Sequence, residues 1–454
     1  MSRRAQPAGA PGAGSALLTD LYELTMLQSY WALGMTETAV FELFARRLPP
    51  ERNLLLACGL EGVLDYLEAL RFEQDDLDYL ESTGRFRSDF LAWLGELRFE
   101  GDVYAVPEGT PVFADEPLLS IVAPLPQAQL VETAVMNRMH FATVVASKAL
   151  RVVEAAGGRT VVDFGMRRMH GFDATLEAAR ASWIAGVHAT SNVLAGKRYG
   201  IPVSGTMAHS YVQAHESELE AFRHFTALYP ETTLLVDTYD TLEGVRNVAR
   251  LAHELGDNFR VRAVRLDSGD LDALSRQARK ILDGAGLERV EIFASGSLDE
   301  HRVAALVRAG APVDGFGVGT RMGVSSDAPS LDVAYKLTDY GGSGRLKLST
   351  GKRVLPGRKQ VFRADADGEA AGDVLALADE RLEGRPLIAK VMERGRRLPG
   401  ASPPLAEICE RARAELARMP ARLRALEPAE PRYPVTVSAR LAAYAEEVAR
   451  RAVR

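Results

Sequence analysis

The sequence predicts an α/β protein: an irregular or partial (β/α) barrel joined to an α+β domain assembled from both ends of the chain. Three observations lead there. From Arg159 a short apolar strand, a polar turn and an amphipathic helix recur in six successive units. The strands in those units are near-continuous apolar runs, the pattern of parallel strands buried on both faces. The flanking stretches break that alternation, with helical periodicity on the N-terminal side and strand runs punctuated by Gly and Pro on both sides.

At 454 residues the chain exceeds one typical domain, so two or three are expected. Apolar residues make up 47% and charged residues 26%, as in globular proteins that fold in water. A net charge of −6 supplies no general attraction to nucleic acid or to anionic membrane. Cys58 and Cys409 form no metal or redox spacing, which suits a reducing cytoplasm. The opening MSRRAQPAGAPGAGSA lacks an apolar core, so residues 1–15 read as a disordered tail rather than a signal peptide. No apolar run approaches the roughly 20 residues that span a bilayer.

In chain order, residues 17–100 read mainly as helix, with periodic apolar positions in LYELTMLQSYWALG and LEGVLDYLEALRF. Residues 101–124 read as a small antiparallel sheet. LVETAVMNRMHFATVVASKALRVVEAAGG then reads as one or two buried helices. The barrel strands are RTVVDF, IPVSG, TTLLVD, RVRAVRLD, RVEIFAS and VDGFGVG. Six units fall short of the eight of a complete barrel, hence the irregular or partial form. GFGVGTRMG closes the series and lacks an acid at the distance a dinucleotide site needs, which argues against an open dinucleotide-binding sheet. After Leu337 the chain reads as hairpins with Gly turns and a charged surface helix, ERARAELARMPARLRAL. The expected domains are 16–138 and 339–454 packing together, around a barrel of residues 139–338.

Each barrel strand ends in a polar cluster, and in a parallel barrel all such ends share one face. Arg167 and Arg168 follow the first strand: two adjacent arginines suit an anion, or are a solvated pair. GTMAHS places His209 after the second strand, at the start of an expected helix of residues 208–228; alone, it reads more simply as a capping or core histidine than as one placed for chemistry. Asp237 ends the third strand and points toward the site, while Asp240 caps the next helix. Arg265, Asp267, Ser268 and Gly269 end the fourth, with Asp270 as a helix cap. A cation suits a phosphate or carboxylate there, and the carboxylates suit Mg²⁺ or ribose hydroxyls. Gly296 and Ser297, then Gly317, Gly319 and Thr320, lie in small-residue turns; each is an ordinary βα turn or a phosphate cradle, and two on neighbouring strands favour the cradle. The residues alone thus reach an enzyme for a phosphorylated anionic substrate, with Mg²⁺, and do not name the reaction.

Taken together, LLTDLYELTM, FGMRRMHG, ATSNVLAGKRYGIPVSGTMAHSYV, VDTYDT, RLDSGDL, SGSLDE, GFGVGTRM and YPVTVSARL resemble the nicotinate phosphoribosyltransferase family, over nearly the whole chain. The resemblance implies a type II phosphoribosyltransferase fold and a cytoplasmic homodimer with shared active sites. It implies transfer of phosphoribosyl from 5-phosphoribosyl-1-pyrophosphate to nicotinate, giving nicotinate mononucleotide and pyrophosphate, coupled to ATP hydrolysis with Mg²⁺, in the salvage of nicotinate to NAD. Phe164 then matches one face of an aromatic clamp on the pyridine ring, Tyr22 the other face from the second subunit, and Arg167 a cation near that ring. Arg265 and Asp267 match residues holding the donor, Asp267 by ribose hydroxyls or Mg²⁺, with Ser268 and Gly269 beside them. Gly296, Ser297, Gly317, Gly319 and Thr320 match the 5′-phosphate cradle, to which Tyr335 and Lys336 add. Ser191 matches the position where nicotinamide-using relatives carry Asp. His209 matches a phosphoryl acceptor, with Asp237 expected on its other ring nitrogen. Many members have Gln after the arginine pair, where this chain has RRMHGFDA with His170; His170 and His188 read as structural, and His215 as a helix-surface or packing residue. The rival readings are a nicotinamide or quinolinate phosphoribosyltransferase of the same fold, and a non-catalytic protein that binds the donor.

Overall fold

The structure, a computed structural model, describes residues 15–348 and 354–452. The tail expected over residues 1–15 lies outside these, except for Ser15, which bridges to Arg71. The chain divides into two compact units. The barrel unit comprises Val145–Pro329 with Arg424–Glu427; the terminal unit comprises the chain up to Val144, Ser330–Leu423 and the segment from Pro428.

The barrel unit holds six parallel strands. In chain order they are Thr160–Asp163, Ala189–Thr190, Thr233–Leu235, Ala263–Leu266, Glu291–Ala294 and Gly315–Val318. Their spatial order is second, first, sixth, fifth, fourth, third. The sixth strand returns to pair with the first, Val318 opposite Asp163, so the sheet curls into a half-barrel with the second and third strands at its edges. Between strands run amphipathic helices; in Thr241–Leu255 the buried Val245, Val248 and Leu251 fall on one face. No helix among the described residues is long and apolar enough to cross a membrane.

Three expectations about local structure need correction. IPVSG is not the second strand: Ala189–Thr190 is, and Val203 meets Thr190 only through an isolated bridge. Pro202 has no N–H to extend a ladder. The helix expected over 208–228 is two helices, His209–Gln213 and Glu218–Leu228. Ser217 starts the second afresh, its side chain accepting from the Glu220 N–H. Within the stretch read as helical, Thr38–Ala45 is a strand buried at seven of its eight positions.

That strand is central to the terminal unit. It pairs antiparallel with Pro117–Pro124 on one side and with Val333–Tyr340 on the other. The resulting seven-stranded sheet interleaves segments from both chain ends. The barrel boundary expected at residue 338 therefore falls inside a strand of the terminal unit, and the units divide at Pro329 instead. A second sheet contains the hairpin Lys359–Ala366 with Glu369–Leu377, closed by Asp367 and Gly368 at φ +52° and +85°. Two left-handed residues of the Asp-Gly type form the two-residue turn that matches strand twist. Tyr335 lies in the first sheet: fully buried, stacked on Phe41, with its hydroxyl donating to the Ala128 carbonyl at 2.6 Å. It is a packing residue of that sheet and supplies no charge, contrary to the role expected for it; Lys336 lies 4.0 Å from Glu132.

Candidate active site

The strand ends of the half-barrel assemble most of the residues expected. At the end of the fourth strand, Arg265 donates from Nη2 to Asp267 Oδ1 at 2.7 Å and from Nε to Ser295 Oγ, on the fifth strand's end, at 2.7 Å. Ser295 also lies 2.5 Å from Asp267 Oδ1. Burial opposes ionisation of Asp267, but the Ser295 hydroxyl and the Arg265 guanidinium outweigh it and hold the carboxyl below its usual range. Asp267 is thus an anion at neutral pH.

Backbone geometry brings these strands close. Gly296 has φ +93°, and a Cβ there would lie 1.8 Å from the Asp267 carbonyl oxygen. Only glycine fits. Next to it Ser297 is exposed with φ +52°. Among the described residues the backbone N–H groups of Gly296 and Ser297 make no hydrogen bond, which leaves them available to an anion. The following helix is capped by its own Asp299, whose carboxylate accepts from the Arg302 N–H. Thr320, also exposed, begins the four-residue helix Thr320–Gly323.

His209 stands 3.8 Å, through Nε2, from Asp267 Oδ2, while its Nδ1 lies 3.2 Å from Thr238 Oγ1. This corrects the partner expected for it. Asp237 does not bind the imidazole; its Oδ2 accepts from the Asp267 N–H at 2.9 Å and from the Ser268 hydroxyl at 2.6 Å. A carboxylate at a strand end facing two donors on the next strand satisfies those first. Asp237 therefore shapes the Asp267–Ser268 turn, and its Oδ1 is buried with no partner among the described residues. Asp240 and Asp270 are helix caps, as read.

On the first strand, Asp163 is buried, accepting from the Gly165 N–H and the Thr190 hydroxyl at 2.8 Å each; burial raises its pKa. It braces the turn that presents Phe164. The Phe164 ring packs where a Gly317 Cβ would be, 2.5 Å away, and the Arg265 guanidinium sits 5.3 Å from its centroid. Gly317 thus makes room for an aromatic, and Gly319 lies against the Phe164 carbonyl. Ser191 is half-buried after the second strand, its N–H donating to the Asp163 carbonyl at 2.8 Å. Arg167 and Arg168 are exposed, with no ion-pair partner among the described residues. Gly269 is exposed at φ +80° in the turn after Ser268.

Tyr22 belongs to the terminal unit, half-exposed on helix Leu21–Ala32. His188 and His215 are structural, as expected: His188 Nδ1 accepts from the Val161 N–H, and His215 Nδ1 contacts the Tyr211 carbonyl. His170 is exposed. Sequence reasoning passed over Asp163, Thr190, Thr238 and Ser295. Each was visible at a strand end, but nothing in the local pattern separates a hydroxyl that bridges two strands from one that caps a turn.

A curled parallel half-barrel with glycine turns, an arginine–carboxylate pair and a histidine at its strand ends, in a chain whose other unit is an α+β fold made of both chain ends, is the architecture of a type II phosphoribosyltransferase. Comparison with known proteins narrows that class. The chain matches the model of the nicotinate phosphoribosyltransferase (NAPRTase) N-terminal domain over residues 17–140 and that of the nicotinate phosphoribosyltransferase (NAPRTase) family over residues 160–365. It is 56% identical over 426 residues to nicotinate phosphoribosyltransferase pncB2 of Mycobacterium tuberculosis, covering 94% of this chain and 92% of that one. It is 43% identical over 377 residues to the nicotinate phosphoribosyltransferase of Bacillus subtilis, covering 81% and 77%. The crystal structure of human nicotinic acid phosphoribosyltransferase superposes with a TM-score of 0.84 at 31% identity, over 94% of this chain and 99% of that chain. The chain belongs to the nicotinate phosphoribosyltransferase family.

Proposed function

We propose that the chain catalyses transfer of phosphoribosyl from 5-phosphoribosyl-1-pyrophosphate to nicotinate, forming nicotinate mononucleotide and pyrophosphate for NAD synthesis. The observation that carries this is the joint placement of Phe164, Arg265, Asp267 and His209 at one set of strand ends. The ribose C1–O bond breaks with its electron pair leaving on pyrophosphate, and the pyridine nitrogen supplies the pair of the new C–N bond. No protein nucleophile is needed for that step, so positioning and charge carry it. Phe164 offers a face to the pyridine ring. Arg265, and Arg167 with no ion-pair partner among the described residues, are the cations suited to the anionic groups, and the free N–H groups of Gly296 and Ser297 suit the 5′-phosphate. Tyr22 is exposed and available to complete the ring clamp in a homodimer.

Hydrolysis of ATP is coupled, in this reading, through His209. A lone pair on its imidazole attacks the γ-phosphorus, ADP departs, and water later cleaves the N–P bond to release phosphate. Thr238 and Asp267 flank its two nitrogens and so orient the ring. For Mg²⁺ the donor set fits: Asp267 Oδ2 is uncommitted apart from His209, and Asp237 Oδ1 is a buried carboxylate oxygen without a partner among the described residues. These oxygens would hold Mg²⁺, directly or through water, and its positive charge there would favour departure of pyrophosphate.

The test is pyrophosphate release with nicotinate and nicotinamide in competition, alongside CO₂ release from quinolinate. Preference for nicotinate is expected; equal use of nicotinamide, CO₂ release, or no turnover refutes the reading. Incubation with γ-labelled ATP should leave acid-labile, base-stable label on the wild type and none on His209→Ala. Label on both would remove His209 from its role.

A further inference from the structure

We propose that Ser295 is a positioning residue that locks Arg265 and Asp267 into one unit and selects which oxygen of Asp267 is offered to the phosphoribosyl donor. The proposal rests on the reading of the site given above. A guanidinium has donors only, so the Ser295 hydroxyl must accept from Arg265 Nε. Its own proton then has two directions: Asp267 Oδ1 at 2.5 Å or the Leu266 carbonyl at 3.4 Å. Distance and the negative charge both choose Asp267. The hydrogen bonds therefore run in one sense, from Arg265 through Ser295 to Asp267.

Two consequences follow for the site. Asp267 Oδ1 already receives Arg265 Nη2, so the Ser295 proton gives it a second donor. Oδ2 is the oxygen left, and it is the one turned toward His209. Arg265, fixed at Nε and Nη2, keeps its plane beside the Phe164 ring and retains Nη1 for an anion. Ser295 itself is 2% exposed and its hydroxyl is engaged on both sides, so it acts through these two residues. The backbone reinforces the lock: the Ser295 N–H donates to the Leu266 carbonyl at 2.8 Å, and Gly296 presses against the Asp267 carbonyl. The nearby Ser268 hydroxyl does not repeat this arrangement, since it is turned to Asp237 instead.

The experiment measures steady-state constants for both substrates and the unfolding midpoint in Ser295→Ala, Ser295→Cys and Ser295→Thr. Cys keeps the volume but bonds weakly; Thr keeps the hydroxyl. Loss of the relay should raise the KM for 5-phosphoribosyl-1-pyrophosphate about tenfold or more in the Ala and Cys variants, the scale at which residues behind a ligand matter. The KM for nicotinate and the unfolding midpoint should stay near wild type, and Thr should restore most of the donor affinity. Wild-type donor constants in Ser295→Cys overturn the proposal. So does a parallel loss for both substrates together with a lowered midpoint and no rescue by Thr. If the wild type turns over no nicotinate, the functional reading fails by itself; calorimetric binding of 5-phosphoribosyl-1-pyrophosphate with Mg²⁺ to wild type and Ser295→Cys then still decides the role of Ser295, equal affinities counting against it.

Discussion

Arg265 and Asp267 in the barrel unit and Arg363 and Asp373 in the terminal unit are the same chemical pair, each set beside an aromatic ring. Arg363 grips Asp373 through two bonds, Nε at 2.9 Å and Nη2 at 2.6 Å, and donates to the Pro111 carbonyl as well. The Tyr433 hydroxyl, 2.8 Å away, adds a further donor to Asp373, and Phe113 stacks on Tyr433. Its side chains are 1% and 0% exposed, against 12% and 29% for Arg265 and Asp267. One pair is closed, with both carboxylate oxygens filled. The other is left open at Asp267 Oδ2 and at Arg265 Nη1. Arg363 Nη1 also makes no hydrogen bond among the described residues, lying 3.9 Å from Glu415, so the difference lies in the carboxylate: an ion pair becomes a site when its own bonds leave a carboxylate oxygen unfilled and the pair partly exposed.

Breaking the closed pair should have the largest effect. Arg363→Ala leaves the Asp373 carboxylate buried and uncompensated, which costs about 3–5 kcal/mol. A sharply lowered unfolding midpoint or loss of soluble protein is expected, where an unchanged midpoint would contradict the structural role. Arg265→Ala should do the reverse. The midpoint should hold while turnover falls by about a hundredfold to a thousandfold, the loss typical of one charge-stabilising donor. Retained turnover would show that the open pair is not catalytic.

A smaller effect is expected from charging the far side of the ring slot. Ser191 is neutral and half-buried beside the Asp163 turn. Ser191→Asp would set a carboxylate near that of nicotinate, a repulsion of about 4 kcal/mol at 4 Å with an effective dielectric constant of 20, and less where water enters. Nicotinate KM should rise steeply and nicotinamide use should improve. Unchanged nicotinate constants would take specificity away from Ser191.

Much of the open pair was legible because its members lie within three residues of a strand end, in RLDSGDL, where strand-to-turn chemistry is local. The half-barrel was legible for the same reason: each unit announces itself in about thirty residues. What was not legible depends on distant partners. Thr38–Ala45 reads as part of a helical stretch until Pro117–Pro124 and Val333–Tyr340 are laid beside it. The partner of His209 was misassigned because spacing along the chain cannot say that Asp237 spends its oxygen on the Asp267–Ser268 turn. The break before Glu218 was readable: Ser217 and Glu220 have the spacing of a capping box, and the Ser217 cap to the Glu220 N–H forms.

The subtlest test concerns the proton that keeps the closed pair closed. Glu116 is fully buried against Asp373, and its Oε2 accepts from the Phe113 N–H at 2.9 Å while its Oε1 finds no donor among the described residues. Burial, then the neighbouring Asp373 charge, push its pKa well above the ordinary 4.5, with Arg363 opposing. The folded protein thus holds a proton that the unfolded chain releases above that ordinary value. A group raised in this way stabilises the fold fully below the unfolded pKa, and its contribution is lost as pH rises toward the folded one. Glu116→Gln mimics the protonated form at every pH: its carbonyl keeps the Phe113 N–H, and its amide offers Asp373 a donor. The difference in unfolding midpoint, Gln variant minus wild type, should therefore become more positive from pH 5 to pH 8, by about 1 °C for each 1 kcal/mol in a chain of this size. A difference that stays flat across that range would mean Glu116 is already ionised, and that Arg363 is shared between two carboxylates rather than held by Asp373.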